Sequence, residues 1–315
     1  MLHLRVVCPQ DMEARVLDTL GDRVGVVAVS ATPESSHGTV ISADVAREAA
    51  DGVLSDLRDA GIGEHGLIAL DPIDAAFGAL VDKAEEEAPG EGADALIWDE
   101  LSERIGEDST LTGTFVAFMV LATLLAGIGV VTDSQITIVG AMVVGPEFGP
   151  LAGLAMALVR RRPAIARRAA TALVVGFVTA IVIVALFTAL ARWAGLVSPA
   201  DIAGPRETDF IYHPGWFSLI TALVAGTAGM LSLSSAKSAV LVGVFISVTT
   251  IPAAGNAAVA GVLGDWHETW LSLAQLGINL VGITAAGVVT LWVRIALQRH
   301  GPGSERRTRA GSRLP

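Results

Sequence analysis

The chain has 315 residues, of which 52% are hydrophobic and only 17% charged, whereas soluble domains carry about a quarter charged residues. The charge is split: residues 1–110 hold 24 of the 32 acids and 7 of the 21 bases, a net of −17, and residues 111–315 hold 8 acids and 14 bases, a net of +6. The acidic part argues against a nucleic-acid partner, which needs a basic face, and the single cysteine, Cys8, excludes a disulfide framework and a multi-cysteine metal site.

The start, MLHLRVVCPQ, lacks a basic stretch followed by a long apolar run, so no signal peptide is expected. Strands are predicted at 2–8, with Cys8 as a buried core thiol, and at 23–31, 38–45 and 65–74. Amphipathic helices are predicted at 11–22, with Val16, Leu17 and Leu20 on one side, and at 48–61, ending at Gly61. The order β-α-β-β-α-β is that of a ferredoxin-like α+β domain over 1–81, with both helices on one face of a four-stranded sheet. Such domains host many functions, so the fold alone assigns none. Residues 82–110 follow as an acidic, Gly- and Pro-containing linker and an amphipathic connector helix at 95–109, carrying Leu96, Ile97, Leu101 and Ile105.

A helix needs roughly 20 mostly apolar residues to cross the hydrocarbon core. Six stretches between 111 and 293 meet that length: 112–131, 136–158, 167–191, 216–235, 239–262 and 271–293. Basic residues follow the second span (RRRPAIARR, 160–168), the fourth (Lys237) and the sixth (Arg294, Arg299 and a basic disordered tail over 294–315). The other side receives Arg192 and Arg206 with Asp133, Asp201, Glu207, Asp209, Asp265 and Glu268, plus Trp193, Tyr212, Trp216, Trp266 and Trp270 as an interfacial belt. The positive-inside rule then places both termini in the cytoplasm of a multi-pass protein of the bacterial inner membrane.

VGAMVVGPEFGPLAGLAMAL from Val139 resembles VGVFISVTTIPAAGNAAVAGV from Val242, and, with a one-residue slip, Pro150 meets Pro252 and Gly153 meets Gly255. Each unit has three spans, an odd number, so the second inserts upside down. That is an inverted-topology repeat of the kind many secondary transporters use. The expected fold class is an α-helical polytopic membrane protein with six spans in two inverted three-helix repeats behind the ferredoxin-like domain. Prolines break helices, and backbone groups freed in lipid need protein or cavity water. GPEFGP is therefore expected to break the second span and TTIPAAGN (249–256) the fifth, with half-helix ends near the midplane.

The candidate solute- or ion-binding residues are Asp133, Ser134, Pro146, Glu147, Pro150, Ser234, Ser235, Thr249, Thr250, Pro252 and Asn256. Each has a plainer reading. Asp133 and Ser134 also fit a solvated turn, and Ser234 and Ser235 a helix cap. Thr249, Thr250 and Asn256 also fit repair of broken backbone, and Glu147 an acid in a protein-lined notch. Lys237 reads as an anchor and Asn279 as an interhelical hydrogen bond. No nucleophile–base pair, metal spacing or cofactor motif is present, so neither an enzyme nor a cofactor is expected.

Residues 127–162, GIGVVTDSQITIVGAMVVGPEFGPLAGLAMALVRRR, resemble the hallmark of a bacterial and archaeal membrane family known as domain of unknown function 389. The resemblance lies in Asp133, Ser134, Gly140, Ala141, Met142, Pro146, Gly149, Pro150 and Gly153, and extends over most of 111–293. It implies a ferredoxin-like domain before the membrane domain and supplies no substrate. That family usually has apolar residues between the two prolines, where this chain has Glu147. Two function classes follow. One is a secondary transporter or channel for a small solute or ion, its path between spans two and five. The other is a membrane-anchored sensor or scaffold whose acidic domain binds a cytoplasmic ligand or partner. Membrane lipid, a small solute or ion and further copies of the chain in a homo-oligomer are the expected partners.

Overall fold

A computed structural model describes residues 1–34, 38–73, 75–88, 101–102, 105–106, 108–213, 215–234 and 250–300. Ser235, Lys237, Thr249, most of the connector helix expected at 95–109 and the tail from 301 lie outside the described residues. The chain divides into two compact units, the first built on Met1–Leu101 and the second beginning at Ser102.

The first unit holds strands β1 (Leu2–Cys8), β2 (Val26–Glu34), β3 (Gly38–Val45) and β4 (Leu67–Pro72). Helices α1 (Glu13–Gly21), α2 (Arg47–Asp59), the one-turn α3 (Ile62–His65) and α4 (Ala79–Glu87) complete it. The sheet order is β2-β3-β1-β4 with every neighbouring pair antiparallel. A side chain in a strand alternates between faces. Leu2, Leu4, Val6 and Cys8 accordingly lie buried on one face of β1, as do Ile41, Ala43 and Val45 on β3. Val16 and Leu20 of α1 and Ala50, Val53, Leu54 and Leu57 of α2 join them in one apolar core. The expected element order is the observed one. The differences are local: α1 starts at Glu13 behind a 3-10 turn, and β4 is shorter because α3 takes up Ile62–His65.

The second unit is helical: α5 (Gly113–Val131), α6 (Gln135–Val144), α7 (Phe148–Arg160), α8 (Pro163–Trp193), α9 (Trp216–Leu233), α10 (Ile251–Leu263) and α11 (Trp266–His300). Among the described residues four helices, α5, α8, α9 and α11, are long and apolar enough to cross a membrane. The pair α6 and α7, bent by 53° at its break, makes a fifth if read as one span. Of the six expected spans, with the second and fifth broken, the described residues show four or five. The second is interrupted, and the fifth is described only as α10, whose 13 residues reach about 20 Å against a hydrocarbon core of about 30 Å.

Starts are set by local chemistry. The Thr112 hydroxyl accepts from Phe115 N at 3.0 Å and the Ser134 hydroxyl from Thr137 N at 3.3 Å, capping α5 and α6. Pro163 opens α8, where its missing N–H costs nothing. Buried threonines bond back within their own helices, Thr123 to Met119 O at 2.7 Å and Thr188 to Val184 O at 2.8 Å.

The short helix α10 is the centre of the bundle. Every residue from Ile251 to Ala260 is buried, as expected of a helix surrounded on all sides. The surface of the unit is apolar instead, with Val174, Val178, Val182, Leu186 and Leu190 forming an exposed ridge on α8. Two ends are defined by contacts. At one, Asp133 binds Glu207 and Thr208, and Arg192 donates to Val262 O at 2.6 Å, so the connections after α5, α8 and α10 lie together. At the other, Arg168 donates to Thr110 close to Arg160, Arg161 and Arg162.

Close packing depends on particular glycines. A Cβ on Gly226 would lie 2.6 Å from the Ile283 carbonyl oxygen, and one on Gly255 2.8 Å from Ala126 Cβ, whereas Gly140 and Gly277 have open space. Gly226→Val should lower thermal stability in detergent by an amount typical of overpacking, about 1–3 kcal/mol. Gly140→Ala and Gly277→Ala should leave the melting temperature unchanged or slightly raised.

Candidate functional site

The break between α6 and α7 sits after ten helical residues, about 15 Å along a path that must cover about 30 Å. Gly145 and Pro146 leave the helix, Glu147 is the N-cap of α7, and Pro150 falls inside its first turn. Pro252 likewise occupies the first turn of α10, whose N-cap is Thr250. Both prolines thus stand where an N–H has no intrahelical partner to lose.

The two helix starts meet. The Thr250 hydroxyl donates to Glu147 Oε1 at 2.5 Å, and both side chains are buried, at 0% and 1% exposure. Among the described residues Glu147 Oε2 is buried without a hydrogen-bond partner, and a Cβ on Gly145 would collide with it. Among the described residues no basic side chain pairs with this carboxyl. What favours an acid here is the partial positive charge at the N-terminal ends of two half-helices. Behind the break, the Ser109 hydroxyl donates to Gly149 O at 3.1 Å, which fixes the start of α7 from outside.

A second polar cluster lies at the end where Asp133 sits. Asp133 accepts from Glu207 N at 3.1 Å and from Thr208 N and Oγ1 at 3.0 and 2.9 Å, pinning the α8–α9 connection. Burial pushes its carboxyl up, but these hydrogen bonds and the Arg206 charge outweigh that and hold it below its ordinary value. Arg206 is almost wholly buried and donates to Glu268 Oε1 at 2.6 Å, with its Nε 3.3 Å from Asp209 Oδ1. Burial would lower its pKa, but the Glu268 hydrogen bond and charge hold it above the ordinary value. Asn256 Nδ2 bridges Glu268 Oε1 at 2.9 Å and Ser272 Oγ at 2.8 Å.

Of the expected site residues, the structure therefore brings Glu147 and Thr250 into contact between Pro146, Pro150 and Pro252. Asn256 stands farther along α10, joined to Glu268. Asp133 and Ser134 serve the turn before α6, one pinning a loop and the other capping a helix. Ser234 is buried beyond the end of α9. Arg206, Glu268, Ser272 and Gln275 escaped sequence reasoning. The signal was available in Glu268, Ser272, Gln275 and Asn279, polar residues spaced four, three and four apart on one helical face. It was masked because the span was placed at 271–293, whereas α11 begins at Trp266. Among the described residues no group of three or more His, Cys, Asp or Glu side chains could hold a metal ion.

Four or five apolar spans packed around a buried short helix define a multi-pass α-helical membrane protein. Residues 142–285 match the family described as Domain of unknown function (DUF389), the family the sequence resembles. The matched stretch contains Glu147, Thr250 and Glu268 but not Asp133. An uncharacterised protein of Methanocaldococcus jannaschii is 27% identical over 208 residues, 65% of this chain and 62% of that relative. The chain thus matches less than two thirds of the relative's length. No solved structure matches.

Two outcomes are expected from this geometry. Thr250→Val should cost about 1–3 kcal/mol of thermal stability by leaving a buried carboxyl unpartnered. It should cost clearly less in a Glu147→Leu background, so a double-mutant cycle measures the coupling. Because Asp133 has a lowered folded-state pKa, its contribution is fully present above the unfolded value of about 3.9 and is lost as pH falls through the folded value. Exchange protection of the Glu207 and Thr208 amides should follow that loss in acid, and Asp133→Asn should weaken it at neutral pH.

Proposed function

We propose that this protein is an integral membrane transport protein, a secondary transporter or channel for a small solute or ion, with its path between the broken second span and the start of α10. The observation that carries this reading is the contact of Glu147 with Thr250. It joins two helix starts inside an apolar bundle and leaves one buried carboxylate oxygen without a hydrogen-bond partner among the described residues. An acid placed there is costly unless it meets water, a partner or a passing solute. Each half of the membrane domain also supplies a helix, a proline-marked half-helix and a very long helix in the same order, α5–α8 and α9–α11. That order supports six crossings in two inverted units, with α10 as the outer half of the fifth.

In this reading both termini are cytoplasmic, since the arginine-rich end near Arg160–Arg168 faces inward. The N-terminal domain regulates the path, and the protein works as a homo-oligomer without catalysing a chemical reaction. Purified protein in liposomes is expected to carry ion or solute flux that Glu147→Gln reduces at least about tenfold, a change of about 1.4 kcal/mol in the limiting barrier. No flux across a broad panel of ions and solutes, with both proteins monodisperse and folded, would overturn it. The membrane-anchored sensor or scaffold would then be the better reading.

A further inference from the structure

The bundle-facing side of α11 changes character along its length. From the Arg206 end it presents Glu268, Ser272, Gln275 and Asn279, exposed to 4%, 0%, 2% and 0%. The same side then continues as Gly282, Ile283, Ala286 and Gly287. Four polar side chains within three turns of an apolar bundle are expensive to bury. A helix that needed only packing would carry the small and apolar residues of its other half.

Hydrogen bonding inside the cluster accounts for part of it. Asn256 ties Glu268 to Ser272, the Ser272 hydroxyl bonds back to Glu268 O at 2.9 Å, and Gln275 Nε2 donates to Asn279 Oδ1 at 3.4 Å. Among the described residues three buried atoms of the cluster have no hydrogen-bond partner, Gln275 Oε1 in the middle of the row and Arg206 Nε and Nη1 at its outer end. The Gln275 amide oxygen is thus an acceptor that the described side chains of the row leave open.

The row is rich in carboxylate, hydroxyl and amide oxygens, the donor set that hard cations prefer. Its outermost acceptor, Glu268, is already occupied by a cation, the guanidinium of Arg206 carried on the pinned α8–α9 connection. Around that guanidinium stand three carboxylates, Glu268, Asp209 and Asp133, so the mouth has an excess of negative charge that draws cations. From Asn256 the same α10 runs back six residues to Thr250, about 9 Å, where Glu147 waits.

We propose that Glu268, Ser272, Gln275 and Asn279, with Asn256, line the outer half of a route for a small inorganic cation, and that Arg206 is a tethered cation plugging its mouth. This rests on the transport reading and names its permeant class and its gate. Entry requires Arg206 to leave Glu268, and the freed carboxylate is then the first site a cation meets.

The test uses full-length protein in liposomes on a Cys8→Ser background, with Gln275→Cys as reporter and Val281→Cys on the exposed side of α11 as control. A membrane-impermeant thiol reagent should label Gln275→Cys slowly, and about tenfold faster when Arg206→Gln or Glu268→Gln is added, the response of a population shift. Val281→Cys should not respond. Sodium and potassium efflux should rise with Arg206→Gln and fall with Asn279→Leu. Glu268→Gln keeps the argument testable if the arginine variant fails to fold. Glu147-dependent flux without any labelling response at Gln275→Cys overturns the plug and leaves the transport reading standing. A labelling response without cation flux under any condition overturns the cation route and shows a hydrated cleft instead.

Discussion

Everything in the membrane unit depends on how the chain settles the backbone it breaks inside an apolar bundle. A helix that stops at Val144 and restarts at Phe148 frees donors and acceptors that lipid cannot satisfy. The solution seen here is to bring that restart against a second one, at Ile251, through the Glu147–Thr250 contact. The prolines then sit in first turns, where they cost little, and two positive helix ends face a carboxyl. The central helix α10 can be short because neighbours surround it on every side.

The end of the bundle where Asp133 sits is organised by the opposite device. There the helices are long and regular, and a connection between them is tied down by side chains. Asp133 holds Glu207 and Thr208 from the α5–α6 turn, and Arg206, the residue before them, turns inward to Glu268. The pinned loop thus carries a buried cation to the polar face of α11.

How much of this the sequence disclosed follows from how local each signal was. Alternation in LHLRVVC and GTVISADV marks β1 and β3 residue by residue, because the strand period is short and one face is buried. Long apolar runs mark α5, α8 and α9 to within a few residues. Glu147 and the prolines announced a break, since no plain anchor keeps them. What stayed hidden was pairing across distance: that Glu147 meets Thr250, 103 residues away, rather than Asp133 or Ser134. Hidden too was the polar face of α11, because a hydropathy window cuts a span where charge begins and discards Glu268 as loop. Helical spacing, carried outward from Asn279 through Gln275 and Ser272, would have kept it.

Glu147 and Thr250 also depend on each other. Thr250 is wholly buried, and its hydroxyl needs an acceptor. With an apolar residue at 147 that acceptor disappears, and a hydroxyl at 250 would be left to a backbone carbonyl or to water. The acid and the threonine therefore make sense only together. The break itself asks for less, only the two prolines and a glycine where backbone must approach closely.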